Sequence, residues 1–139
     1  MDVNSHKLPH ALVERVVRGP RARKRGSWHL RADCDCFGAP LETELAQFMD
    51  FAEMEATTRD LLSNFPPGPN EFAVGPSAIP DPKGFAEIVA FAISGDGAYF
   101  CLDYRASAEP SVIWWDDTHW KRVAPSFQDF LGLFDLQMD

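Results

Sequence analysis

"EIVAFAISGDGAYFCLDYR", Glu87 to Arg105, sets two β-rich runs on either side of a Gly-Asp-Gly triplet. A chain that reverses over a few residues needs positive φ somewhere, and glycine and aspartate supply it at little steric cost. The triplet Gly95-Asp96-Gly97 is therefore read as a hairpin turn between "EIVAFAIS" and "AYFCLDYR". Strand alternation puts Phe100, Leu102 and Tyr104 on one face and Tyr99, Cys101 and Asp103 on the other. A third run, "SVIWWDD" (Ser111 to Asp117), extends the pair into an antiparallel meander. The first and third runs are apolar on both sides, so both faces of the sheet should be covered. The chain then closes with "PSFQDFLGLFDLQ". Ser126 can cap this segment, Asp129 sits at the box position, and Phe127, Phe130, Leu131 and Phe134 follow the i, i+3, i+4, i+7 spacing of a helix face.

Upstream the period is helical. In "HKLPHALVERVVRGPR", Leu8, Ala11, Leu12 and Val16 share a face and Gly19 with Pro20 signals the stop, which predicts a helix near Leu8 to Arg18. "SWHL" is short and apolar enough at Trp28 and Leu30 for a strand or a buried turn. "DCDCFGAP", Asp33 to Pro40, reads as loop, and the spacing of Leu41, Leu45 and Phe48 predicts a short helix. In "DFAEMEATTRDLLSNF", Phe51, Met54, Thr58, Leu61 and Phe65 form one stripe, Asp50 can cap, and Glu53 completes a capping box, so a helix is expected from about Phe51 to Asn64. Six of the eleven prolines fall in Phe65 to Pro82, an extended loop by that composition. Helix, long middle section, antiparallel sheet and terminal helix in that order predict an α+β fold, a central antiparallel sheet flanked by helices.

With 139 residues the chain matches a single domain, residues 1–139, able to bury a core without disulfides or structural metal. Its 11 Phe and 4 Trp make that core aromatic. Charge is unevenly placed. Residues 1–31 carry eight Lys/Arg against two Asp/Glu, while residues 32–139 balance at -14 within a total of -8. An acidic body repels nucleic acid and attracts basic partners, and the basic run Arg21, Arg23, Lys24, Arg25 is too short, and too bare of stacking aromatics, to reverse that. No apolar stretch reaches the length of a membrane span, and residues 1–31 hold no uninterrupted apolar core of a leader, so a soluble cytoplasmic protein is expected. Three cysteines, with Cys34 and Cys36 only one residue apart, read as free thiols in a reducing compartment.

Four groups hold residue types capable of chemistry. The Gly95-Asp96-Gly97 turn lacks the lysine and hydroxyl of a phosphate loop and the spaced acids of a calcium loop. Cys101, beside Asp103, reads as a small buried hydrophobe rather than a thiolate nucleophile. His29, Asp33, Cys34, Asp35 and Cys36 are donor types, but their spacing departs from zinc knuckles and no second pair exists. "WWDDTHW" gathers Asp116, Asp117 and His119 between tryptophans. As chemistry these are a metal trio or an acid/base set; as structure they are the polar end of a strand; as a surface, Trp can anchor and Asp can meet a basic partner. Glu53 and Glu55 on the Phe51–Asn64 helix add to the acidic surface that such a partner would meet.

From Ile88 to Phe134 the order of elements resembles the C-terminal half of the SUKH superfamily: a strand into "SGDGAYFCLDYR", then "PSVIWWDDTHWKRVAPSFQDFLGLF" with "VAPSFQDFLGLF" as the last helix. "LPHALVERV" and Trp28 are similar to that family's first helix and early tryptophan; residues 31–82 show no such match. The resemblance implies an α+β domain that binds proteins rather than catalyses, of the kind found in bacterial immunity proteins that neutralise partner toxins and in fungal regulators of cell-wall glucan synthesis. It carries over no catalytic residue, and neither it nor any motif points to a cofactor. The short length favours the immunity kind, with Asp116, Asp117, His119, Glu53 and Glu55 as expected contacts for a toxin domain, basic in the manner of a nuclease. The alternatives that stay open are a small metal-dependent enzyme built on Asp116, Asp117 and His119 or on Cys34 and Cys36, and a cytoplasmic scaffold or regulator with no toxin partner.

Overall fold

The computed structural model describes residues 2–3, 6–19, 24–30, 32–41, 43–64, 87–105, 107–115 and 120–134. Among them are three helices, α1 (His10–Val17), α2 (Phe51–Asn64) and α3 (Phe127–Leu133). A short ladder joins β1 (Asp2–Val3) to β2 (His6–Lys7). The main sheet has six strands, β3 (Lys24–His29), β4 (Glu44–Phe48), β5 (Ile88–Ser94), β6 (Tyr99–Asp103), β7 (Ser111–Trp115) and β8 (Trp120–Ala124), paired antiparallel in sequence order. This is the α+β architecture expected, with the meander twice as long as three runs. None of the helices among the described residues is long and apolar enough to cross a membrane.

The hairpin at Gly95 forms as its composition dictates. Ser94 N donates to Ala98 O at 2.8 Å and Gly97 N to Ser94 O at 3.0 Å, with Gly97 at φ 89°. Residues 88–92 of β5 are fully buried, so both faces of the sheet are covered there. On one face lies α3, whose Phe130 ring stands 5.1 Å from Phe100 and 5.2 Å from Phe91. Ser126 accepts from Asp129 N at 3.1 Å, which satisfies one orphan donor of this helix and fixes where it starts.

The helix expected from Leu41, Leu45 and Phe48 is instead strand β4. Between Leu45 and Gln47 the pairing advances two residues on β4 for one on β5, from Leu45↔Ser94 to Gln47↔Ile93. That bulge inserts an extra residue and reverses the alternation. Leu45 and Phe48, three apart, thereby both reach the core with no exposure. A bulged strand thus reproduces a helical spacing. The strand β8 was also not among the three expected runs; Lys121 and Arg122 interrupt its apolar pattern, yet Lys121 is buried.

α2 follows the sequence reading closely. Asp50 N donates to Glu53 Oε1 at 3.1 Å and Glu53 N to Asp50 Oδ1 at 2.8 Å, the reciprocal box, and Met54, Thr58 and Leu61 are buried. Just past β4, Met49 N donates to Phe91 O at 2.9 Å, and the neighbouring Ala90 N–H turns to α2. Thr58 Oγ1 accepts that proton at 3.0 Å. Thr58→Val keeps the shape and removes the acceptor, and should lower stability by about 1–3 kcal/mol in equilibrium urea unfolding. The Phe65–Pro82 loop reading lies outside the described residues.

Candidate protein-binding surface

At the end of the sheet where the β5–β6 turn lies, register aligns residues from all six strands. His29 pairs with Glu44, Gly95 N donates to Glu44 O at 2.9 Å, Ile93 pairs with Tyr99, and Trp115 pairs with Trp120. The Phe100↔Trp114 pair carries the row across from Tyr99 to Trp115. Residues directly opposite share a face and successive residues alternate. Phe100 turns to α3, so Tyr99 and Trp115, one step along, lie on the other face. There Ile93, Tyr99 and Trp115 are partly buried, and Trp115 meets Trp120 at 5.4 Å between ring centroids.

Acid flanks this row. Glu44 lies over Gly95, its Cγ, Cδ and Oε1 standing where a Cβ at that position would go. The other carboxylate oxygen of Glu44 is 3.3 Å from His29 Nδ1. Asp96, exposed at the turn, accepts a hydrogen bond from Ser94 Oγ. Together His29, Thr43, Glu44, Gly95 and Asp96 line an open cleft of about 390 Å³.

Of the residues singled out by sequence, Asp116, Asp117 and His119 lie outside the described residues. Trp115 and Trp120, which flank them in the chain, close and open their strands at this same end of the sheet. Glu53 belongs elsewhere: α2 leaves β4 at the opposite end, and the Glu53 carboxylate serves the helix cap. Glu55 is exposed on that helix. Neither joins the row, and the contribution of Glu44, Tyr99 and Trp115 could have been seen only by knowing the strand register.

The Cys34–Cys36 segment has a structural part. It sits in the connection from β3 to β4, yet Cys36 N donates to Val123 O at 3.0 Å, which lays this connection against β8 at the far edge of the sheet. Asp35 Oδ1 accepts from Phe37 N and Ala39 N at 2.7 and 3.1 Å, its other oxygen lies 3.9 Å from Lys121 Nζ, and that ammonium donates to Pro40 O. A cleft of about 410 Å³ lies between this loop and α3. Among the described residues no three His, Cys, Asp or Glu side chains converge as metal ligands. All three cysteines are free.

Burial, then Asp129, Asp35 and Cys34 in that order, push the Cys36 thiol up from 9.0 to about 11. Burial and then Asp103 hold Cys101 far above its ordinary range. Neither is poised as a nucleophile at neutral pH. In native protein, iodoacetamide labelling of Cys36 should climb with pH toward an inflection near 11, with about 1% thiolate at pH 9 where a free thiol is half ionised. An inflection at or below 9 would contradict the acidic, partly buried setting.

The sequence model described as SMI1 / KNR4 family (SUKH-1) matches residues 35–133, which run from the Asp35 loop through α3. No curated protein and no solved structure matches the chain.

Proposed function

Because the chain belongs to the SMI1 / KNR4 family (SUKH-1), we propose that it is a non-catalytic protein-binding domain of the immunity type, which neutralises a toxin domain by binding it. The family match over more than two thirds of the chain carries this reading. The net charge of -8 supports a basic partner such as a nuclease, because attraction between opposite potentials speeds association and discriminates against acidic surfaces. The site of action is the cytoplasm, where thiols such as Cys34, Cys36 and Cys101 stay reduced.

Co-expression with the product of the adjacent gene tests the proposal. Rescue of growth from that product, together with co-purification as a stable complex, is the expected result. Growth inhibition that persists at full expression of this chain, with no complex on gel filtration, overturns it. Asp116, Asp117 and His119, with Glu53 and Glu55, are proposed contacts; charge reversal at Asp116 and Asp117 should weaken the complex and flatten its salt dependence.

A further inference from the structure

We infer that the Ile93–Tyr99–Trp115 row with Glu44 and Asp96 is a receptor for arginine or lysine side chains projecting from a basic protein surface. The inference rests on the reading that this chain binds a protein partner, and it commits to one face and one chemistry. Two observations meet at this face. The strand register sets two partly buried aromatic residues, Tyr99 and Trp115, side by side on neighbouring strands, away from the face that α3 covers. The sheet end they share also carries two carboxylates, Glu44 laid over Gly95 and Asp96 at the exposed tip.

Aromatic faces attract cations through the ring quadrupole, and a guanidinium does so while its edge still donates to a carboxylate. An aromatic row bordered by acid therefore suits arginine better than an apolar or acidic surface. The -14 balance of residues 32–139 adds long-range attraction of the same sign. His29 is exposed and its Nδ1 lies 3.3 Å from Glu44 Oε2, so a cationic partner at that carboxylate displaces it. At the opposite end of the sheet the Glu53 carboxylate is engaged in the α2 cap.

Two probes test this. An acetylated hexa-arginine peptide titrated into isotopically labelled protein at physiological salt should shift the amides of Asp96 and Tyr99 and the indole of Trp115 first. Shifts spread evenly over the acidic surface, or centred on α2, overturn the inference. With the adjacent-gene product as partner, Tyr99→Ser should weaken binding at least about tenfold and the pair Glu44→Gln and Asp96→Asn by about three- to tenfold, while Glu109→Gln, exposed in the β6–β7 connection at the other end of the sheet, changes it less than about twofold. Asp96→Asn keeps the acceptor for Ser94 Oγ, so the turn is preserved, and if Tyr99→Ser does not fold the carboxamide pair decides. Wild-type complex formation with unchanged affinity in the row variants refutes this face alone. Absence of any wild-type complex refutes the protein-binding reading instead.

Discussion

Phe130→Ala is expected to cost about 3–5 kcal/mol, the largest loss of any single side chain on α3. Phe130 has no exposure and its ring lies within about 6 Å of four others, Phe91, Phe100, Phe127 and Phe134. Its neighbours come from β5, β6, α3 and the C-cap of α3, so truncation opens a cavity that no one element can collapse to fill. Against a total stability of about 5–15 kcal/mol typical of a domain, the variant should be largely or marginally unfolded. Urea unfolding followed by tryptophan fluorescence reads this directly. A loss below about 1 kcal/mol would mean that α3 is not seated on the sheet as described.

Asp35→Ala should cost about 3–5 kcal/mol, because it strips a buried ammonium of its counter-charge and two backbone donors of their acceptor. Asp35 is 3% exposed and Lys121 8%. Lys121→Met should cost less, since Asp35 keeps Phe37 N and Ala39 N as partners while the thioether fills the space of the stem. In the double variant the two losses should not add, and the coupling measured in a double-mutant cycle should exceed about 1 kcal/mol. Hydrogen exchange at Cys36 N, which bonds to Val123 O, should accelerate in Asp35→Ala as the loop lifts from β8. Additive losses with an unchanged amide would show that the pair does not hold the loop.

Local chemistry made parts of this fold legible and long-range pairing hid the rest. The Asp50–Glu53 box, the Ser126 cap and the Gly95–Gly97 turn are contacts among residues at most four apart, so their signals lie within a short stretch of chain. Leu45 and Phe48 misled because the residue that changes their period is a bulge, defined only against β5. Trp120–Ala124 escaped because Lys121 looks like surface until Asp35 and Pro40, more than eighty residues earlier, are seen around it. The candidate surface shows the same division. Carboxylates beside aromatics drew attention to Asp116, Asp117 and His119, whereas the row of Glu44, Tyr99 and Trp115 exists only once four strands are in register.

The order of the sheet also has a kinetic meaning. β5 to β8 and α3 form one run of neighbours, each strand pairing with the next across a short connection, while β4 must find β5 across residues 49–87. Closing that gap costs chain entropy before any contact offsets it. Folding should therefore begin in the C-terminal meander and add β3 and β4 afterwards. Substitutions such as Val89→Ala or Ile113→Val should slow folding, with φ-values above about 0.5, while Leu45→Ala should mainly speed unfolding. A nascent chain of this design must have made β5 before β3 and β4 have a meander to join.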